Sequence, residues 1–202
     1  SGWGNNESQY YTDRRDNSYV TDGTLKIVAK KETFSSSQYT SARLLSKGKY
    51  SFKYGKVEVR AKLPVGVGTW PAIWMLGDNI STVSWPACGE IDIMEHVGKD
   101  LNKVISAFHY PVYYGGNAKV ATTMVPTATT EFHVYKLEWT PASMQIFVDD
   151  KLFHTLPNSP SIPYNQNFFM ILNIAMGGNL GGPIDASFTS TIFEIDYVRV
   201  YQ

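Results

Sequence analysis

Strict alternation of apolar and polar side chains along short segments constrains the fold of this chain more than any other feature. Within residues 56–62, Val57, Val59 and Ala61 alternate with four charged residues. A period of two places the apolar set on one face of an extended strand and the charged set on the other. This segment therefore predicts a β-strand with one face in a core and one face in water.

Comparable segments recur along the chain and adjoin turn sequences. Residues 25–30 alternate after Asp22-Gly23, and residues 144–148 alternate before Asp149-Asp150. Residues 168–175 are almost entirely apolar, which predicts an interior strand buried on both faces. No segment has a convincing helical period. Many strands within 202 residues predict one all-β domain over residues 1–202, built as a two-sheet antiparallel β-sandwich.

Charge and composition exclude several classes of partner. The formal net charge is zero and no basic block is present, so neither nucleic acid nor an anionic membrane is expected as a partner. No apolar run approaches the ~18 residues of a membrane span, and the lone Cys88 excludes an internal disulfide. The thirteen Tyr, ten Phe and five Trp fit either strand packing or a surface that stacks on sugar rings.

Three carboxylates, Glu90, Asp92 and Glu95, lie in an otherwise apolar segment. On a regular strand Glu90 and Asp92 share a face, whereas Glu95, five positions after Glu90, points to the opposite face. A β-bulge at Ile93-Met94 would return Glu95 to the face of the other two. We therefore expect a bulge in this strand.

Two alternatives to a catalytic role for these carboxylates fit poorly. A solvated acidic face would leave three like charges without an interposed cation, and the spacing differs from that of an EF-hand calcium loop. Paired carboxylates suit glycoside hydrolysis, with separations of roughly 5–5.5 Å for a retaining mechanism. One carboxyl of the pair would be an ionised nucleophile and the other a protonated acid. Asp92 would hydrogen-bond the nucleophile and keep the pKa of the acid raised by repulsion.

The sequence resembles glycoside hydrolase family 16, and within it the laminarinases. The run Glu-Ile-Asp-Ile-Met-Glu matches the bulged form of the family motif, and the resemblance covers nearly the whole chain. It is carried by Trp-Gly-Asn-Asn-Glu at 3–7, Tyr-Thr-Ser-Ala-Arg at 39–43, the segments 54–64 and 70–77, and Ile-Asp-Tyr-Val-Arg-Val-Tyr at 195–201.

The resemblance implies a jelly-roll, concanavalin A-like sandwich with a concave substrate cleft. It also implies that Glu90 is the nucleophile, that Glu95 is the general acid/base, and that Asp92 assists them. It implies a secreted, monomeric enzyme that hydrolyses 1,3-β-glucan within the polysaccharide chain, with retention of configuration and without a catalytic cofactor. Three alternatives stay open at this stage: a mixed-linkage 1,3-1,4-β-glucanase, a transglycosylase, and a non-catalytic β-glucan-binding module on the same fold.

The resemblance also implies a set of cleft residues beside the catalytic ones. Trp74, Trp70 and Trp85 would be sugar platforms, although core packing is the usual role of a Trp. Arg43 would contact sugar hydroxyls near the nucleophile, and Asn6 would be a polar contact in the negative subsites. His109 would lie near the acid/base, whereas His96, His133 and His154 are assigned to structural roles.

A structural Ca²⁺ is the one metal that the resemblance implies. Its ligands would include the carboxylate of Asp196 and the backbone carbonyl of Gly23, since oxygen ligands suit this cation. Family members generally begin with an additional strand that supplies a further ligand. That strand is expected to be absent from residues 1–202.

Overall fold

The computed structural model describes residues 4–202, which form a nine-stranded sheet and a six-stranded sheet packed face to face. Trp3, part of the motif at 3–7, lies outside the described residues. Strands are numbered in chain order. The larger sheet contains β1 (Gln9–Tyr11), β2 (Ser18–Thr21), β3 (Thr24–Phe34), β4 (Ser37–Ser41), β6 (Gly55–Lys62), β11 (His133–Trp139), β12 (Ser143–Val148), β13 (Lys151–Pro157) and β15 (Ser190–Tyr201).

The smaller sheet carries the motif with three carboxylates at its centre. It contains β5 (Arg43–Leu45), β7 (Thr69–Gly77), β8 (Glu90–Glu95), β9 (Lys103–His109), β10 (Lys119–Met124) and β14 (Phe168–Met176). The strand order is β10-β9-β8-β7-β14-β5, and every pair is antiparallel. The predicted two-sheet sandwich is confirmed.

The alternating segments form strands with the predicted buried faces. Val57, Val59 and Ala61 on β6 are fully buried, and residues 144, 146 and 148 on β12 of the same sheet are buried in the same core. All nine residues of β14 are buried, as the apolar run at 168–175 predicts. The turns at Asp22-Gly23 and Asp149-Asp150 have positive φ at both residues, the geometry that a two-residue hairpin requires.

One strand pair departs from the expected antiparallel arrangement. Strand β1 pairs in parallel with β4, with Gln9 opposite Tyr39. The same N-terminal segment also contacts the end of β14, because the Ser8 amide donates to the Met176 carbonyl at 2.8 Å. The segment thus reaches from the larger sheet to the smaller one.

Helical structure is confined to short turns in the described part of the chain. The α-helix spans Gly178–Gly181, and 3₁₀ turns span Asp78–Ser81 and Gly115–Asn117. No helix within residues 4–202 has the length needed to cross a bilayer.

The three histidines assigned to structural roles lie outside the carboxylate cluster. The His96 ring bonds the Lys103 carbonyl at 2.9 Å, and His133 contacts Thr127 and Asp149. His154, on β13, contacts the Ser106 hydroxyl of the opposite sheet at 3.1 Å and packs on the Phe108 ring. Burial lowers the pKa of His154 to about 4.

The buried His154 makes stability depend on pH. Its native pKa lies below the unfolded value of about 6.5, so the unfolded chain binds a proton more readily. The contribution is complete above pH 6.5 and is lost as the pH falls toward 4. We expect His154→Gln, which keeps a polar contact to Ser106, to reduce the slope of unfolding free energy against pH by up to roughly 1.4 kcal/mol per pH unit in this window. Urea denaturation at several pH values measures this slope. Equal slopes in the wild type and in His154→Gln would contradict the role of His154.

Candidate active site

A β-bulge in β8 brings the three carboxylates to one face of the smaller sheet. On the β7 side, Trp74 pairs with Asp92 and Ile73 pairs with Met94, so Ile93 is the extra residue. The register with β9 shifts at the same place, between Asp92 and Glu95. The predicted bulge at Ile93-Met94 is therefore confirmed.

The bulge is compatible with the core because Ile93 and its neighbour Met94 are both apolar. Ile93 and Met94 are fully buried in the core between the sheets. Glu95 consequently turns to the outer face, where it is 9% exposed, and Asp92 is 3% exposed beside it. The concave face of β8 thus presents three carboxyl groups in a nearly dry environment.

His109 contacts two of these carboxyls from the adjacent strand β9. Its Nε2 lies 3.1 Å from Asp92 Oδ2 and 3.7 Å from Glu90 Oε1. The Gly115 amide donates to its Nδ1 at 3.1 Å, so the proton of the neutral ring is on Nε2, facing the carboxyls. The ring thus contacts Glu90 and Asp92, and His109 also lowers the pKa of Glu95.

Glu95 has a separate partner in β7. The Trp70 indole Nε1 donates to Glu95 Oε1 at 2.8 Å. Trp70 and Trp74 are four positions apart on the strand and both face the cleft, although Pro71 lies between them. Trp70 is therefore a hydrogen-bond donor to a carboxyl in addition to being an aromatic surface.

Burial raises the pKa of all three carboxyls. For Glu90, the charge of Asp92 adds to the effect of burial, and His109 opposes it. The pKa of Asp92 is raised by burial and by the charge of Glu95, and that of Glu95 by burial, against the Trp70 hydrogen bond. Burial, and not repulsion by Asp92 as expected from the sequence, is thus the main cause for Glu95.

Interaction with Glu90 lowers the pKa of Asp92 and so opposes the effect of burial. Three carboxyls this close in a buried site cannot all be ionised, because each negative charge disfavours ionisation of its neighbours. A cluster of this kind separates an ionised carboxylate from a protonated one within a few ångströms.

Trp74 and Arg43 stand on the β5 side of the carboxyls. The Arg43 guanidinium carbon lies 4.5 Å from the centroid of the Trp74 ring, a cation–π distance. The charge of Glu90 acts on Arg43, which places the guanidinium near this carboxyl. The Trp74 Nε1 donates to Asn173 Oδ1 at 2.7 Å.

Trp85 lies on the other side of Glu90. It lowers the pKa of Glu90, and its ring centroid is 5.9 Å from that of His109 and 5.4 Å from that of Tyr114. Trp85 and Tyr114 are both partly exposed. They form an aromatic corner at one end of the carboxyl cluster.

Asn6 lies in the N-terminal turn and bonds a residue of the short helix. Its Nδ2 donates to Asn179 Oδ1 at 2.9 Å, and both side chains are exposed. The structure thus places it next to Gly178–Gly181, at the end of β14, in contact with Asn179 and not with a carboxyl.

Sequence reasoning missed several polar residues that support the site. Asn173 is the only polar side chain in the apolar strand β14, a signal that was readable from the sequence. Glu7 and Tyr11 join Asn173 through hydrogen bonds. Buried Tyr164 lies beneath the cleft, with its hydroxyl 3.1 Å from the Glu90 carbonyl and 3.0 Å from the His109 carbonyl; no local pattern indicated this contact.

The two residues implied for Ca²⁺ do not fit such a site in this structure. Asp196 Oδ2 lies 2.6 Å from Arg60 Nη1, so its carboxylate already has a cationic partner. In the turn beside Gly23, the Lys26 ammonium bonds the Thr21 carbonyl at 2.8 Å. One neutralised carboxylate and one carbonyl fall short of the about six to eight oxygens that Ca²⁺ takes.

A second set of residues is close enough to hold a metal. Within residues 4–202, Glu90, Asp92 and His109 form a group whose ligand atoms lie within 4.8 Å of one another. Because the Gly115 amide occupies Nδ1, Nε2 carries the proton and the ring faces the carboxyls as a donor. This tautomer suits a hydrogen-bonded carboxyl cluster better than a metal centre.

Comparison with known proteins identifies relatives that match across the whole chain. Residues 5–199 match the family described as Glycosyl hydrolases family 16. A β-glucanase of Rhodothermus marinus is 46% identical over 100% of this chain and 76% of its own length. Glucan endo-1,3-beta-glucosidase A1 of Niallia circulans is 37% identical over 100% of this chain, which spans 33% of that protein.

A solved structure extends the match to the backbone. The laminarinase catalytic domain of Thermotoga maritima is 42% identical, with a TM-score of 0.94, over 100% of this chain and 85% of that one. This similarity supports the jelly-roll arrangement of the two sheets.

The Trp70 hydrogen bond provides a test of the site electrostatics. Trp70→Phe removes the donor that stabilises ionised Glu95, so the pKa of Glu95 should rise further. Trp74→Phe is the matched control, because its indole donates to Asn173 and not to a carboxyl. Carbon-13 NMR titration of labelled glutamate side chains measures the pKa of Glu95 in both variants. An equal shift in the two variants would contradict the assigned contact.

Proposed function

The chain belongs to glycosyl hydrolases family 16, and from this premise we propose that it hydrolyses 1,3-β-glucan by a retaining double displacement. The protein is a glycoside hydrolase. The observation that carries the proposed chemistry is the bulge in β8, which puts Glu90, Asp92 and Glu95 on one concave face. Their different partners give the carboxyls different roles.

The choice of 1,3-β-glucan rests on the relatives. The names of the Niallia circulans and Thermotoga maritima proteins state endo-1,3-β-glucosidase and laminarinase activity. The aromatic surfaces of Trp70, Trp74 and Trp85 suit the C–H faces of glucose units, which bury apolar area on stacking. A polysaccharide substrate suits a secreted enzyme. The proposed enzyme acts as a monomer.

In the first step, a Glu90 carboxylate oxygen attacks the anomeric carbon and the glycosidic C–O bond breaks. Glu95 donates its proton to the departing oxygen, so the shortened glucan leaves as an alcohol. The raised pKa of Glu95 keeps it protonated at a pH where an exposed Glu would be ionised. The product of this step is a glycosyl ester of Glu90.

In the second step, Glu95, now a carboxylate, removes a proton from water. The water oxygen attacks the anomeric carbon, and the ester bond to Glu90 breaks. Two inversions at one carbon restore the β configuration. Glu95 regains its proton and Glu90 its negative charge, so the site is ready for another cycle.

A protonated Asp92, together with His109 and Trp85, would support the ionised state of Glu90. Ionised Asp92 raises the pKa of Glu90, so a proton on Asp92 removes that repulsion and makes Asp92 a donor toward Glu90. His109, whose Nε2 lies 3.7 Å from Glu90 Oε1, and Trp85 both lower the pKa of Glu90. These groups stabilise the carboxylate both before attack and as the ester bond to Glu90 breaks.

Product analysis tests linkage and mechanism together. We expect rapid cleavage of laminarin in water enriched in oxygen-18, with the label at the new reducing end and the β anomer formed first by proton NMR. Lichenan, the mixed-linkage glucan, should be cleaved more slowly. First formation of the α anomer would contradict the retaining mechanism, and faster cleavage of lichenan would favour the mixed-linkage alternative.

Two variants separate catalysis from mere binding. Glu90→Gln should lose at least about 10⁴-fold in kcat while still binding laminari-oligosaccharides, since the amide cannot attack the anomeric carbon. Tyr10→Phe is the control for folding and should keep its activity, because it removes only the hydroxyl from a ring that packs on Phe34. Equal turnover by Glu90→Gln and the wild type would exclude Glu90 as nucleophile.

A further inference from the structure

We propose that Glu7, Tyr11 and Asn173 are positioning residues that fix the Trp74 indole as a sugar platform on the β5 side of the cleft. This inference rests on the proposed function, because it assigns a substrate-binding role to a chain of hydrogen bonds beside the catalytic carboxyls. The three residues come from the N-terminal segment and from β14, more than 160 positions apart in the sequence.

The direction of each hydrogen bond in the chain is fixed by the chemistry of its members. An indole N–H can only donate, so Trp74 Nε1 donates to Asn173 Oδ1 at 2.7 Å. The Asn173 Nδ2 then donates to the Tyr11 hydroxyl oxygen at 3.1 Å. The Tyr11 hydroxyl donates its single proton to Glu7 Oε2 at 3.3 Å. The chain ends on an acceptor, and the Asn173 amide has one orientation that satisfies both neighbours.

This series of hydrogen bonds is buried and anchored, so the Trp74 indole cannot rotate freely. Asn173 is 5% exposed. Loss of a partner would leave its buried amide with an unsatisfied hydrogen-bonding group. Gln9 ties the far end, because its Nε2 donates to Glu7 Oε2 at 2.6 Å and its Oε1 accepts from the Met176 amide at 2.7 Å. The N-terminal segment is thereby fixed to the strand that carries Asn173.

The same series of hydrogen bonds holds Glu7, whose negative charge acts on Arg43. The charges of Glu7 and Glu90 both favour the cationic form of Arg43, against the effect of burial, which lowers its pKa. The guanidinium covers one face of the Trp74 ring, so that face is not available to a sugar. Glu7 therefore contributes to both parts of the platform, the indole through Tyr11 and Asn173 and the guanidinium through charge.

The location of Trp74 assigns this platform to sugars next to the reacting one. Trp74 pairs with Asp92 across β7 and β8, and adjacent strands are about 4.8 Å apart, close to the length of one sugar unit. Arg43 lies two strands further along the same face. A precise indole orientation thus sets how the neighbouring sugars of a glucan lie across the cleft.

Tyr11→Phe removes one hydroxyl and interrupts the chain, and Tyr10→Phe is the matched control on the neighbouring residue. Both changes are made in Glu90→Gln, so that binding of laminaripentaose is measured by calorimetry without turnover. We expect Kd to rise about tenfold for Tyr11→Phe and to stay unchanged for Tyr10→Phe. In the active enzyme, Tyr11→Phe should raise KM about tenfold with kcat within about twofold, the signature of lost uniform binding.

Asn173→Asp is the second variant, for use also if Tyr11→Phe does not fold. Asp accepts from Trp74 but lacks the amide donor to Tyr11, so it should weaken laminaripentaose binding to a similar extent. Equal Kd for Tyr11→Phe and Tyr10→Phe would overturn the inference, as would a fall in kcat at unchanged KM. Failure of Glu90→Gln itself to bind laminaripentaose would instead overturn the proposed substrate.

Discussion

The burial of three neighbouring carboxyl groups on one strand face is the interaction on which the rest of this site depends. Like charges this close in a dry environment cannot all be ionised, so the cluster must share protons and recruit donors. The Trp70 indole on β7 donates to Glu95, whereas His109 on β9 and Trp85 in a loop both favour ionised Glu90. Glu95 and Glu90 thus have different partners, and this separation allows one group to be an acid while its neighbour is a nucleophile.

The two sheets divide the work unequally. The larger sheet covers the core and carries its charged residues on the outer face as ion pairs, such as Lys62–Glu194 and Arg60–Asp196. The smaller sheet carries the carboxyl cluster and its aromatic neighbours on its outer face, which is therefore not packed with apolar side chains alone. Because interior strand β14 is apolar on its inner face and carries Asn173 on its outer one, it serves both the core and the cleft.

Features with a local physical origin could be predicted from the sequence. Alternation predicted β6 and β12, the apolar run predicted β14, and side-chain parity predicted the bulge, since five positions between Glu90 and Glu95 allow no other way to share a face. Contacts between distant segments could not be predicted. The Tyr11–Asn173 bond and the Tyr164 contacts with Glu90 and His109 depend on loop paths and on the parallel β1–β4 pairing. The position of His109 beside Asp92 likewise followed from strand register and not from any motif.

The bulge has a consequence for how this protein can change. Ile93 and Met94 both project into the interior, so the residues that aim Glu95 are also part of the packing that holds the sheets together. Repacking of the interior and tuning of reactivity are therefore mechanically linked at this point. A change in the volume of either side chain alters the direction of the proton donor as well as the melting temperature, and selection for one property is constrained by the other.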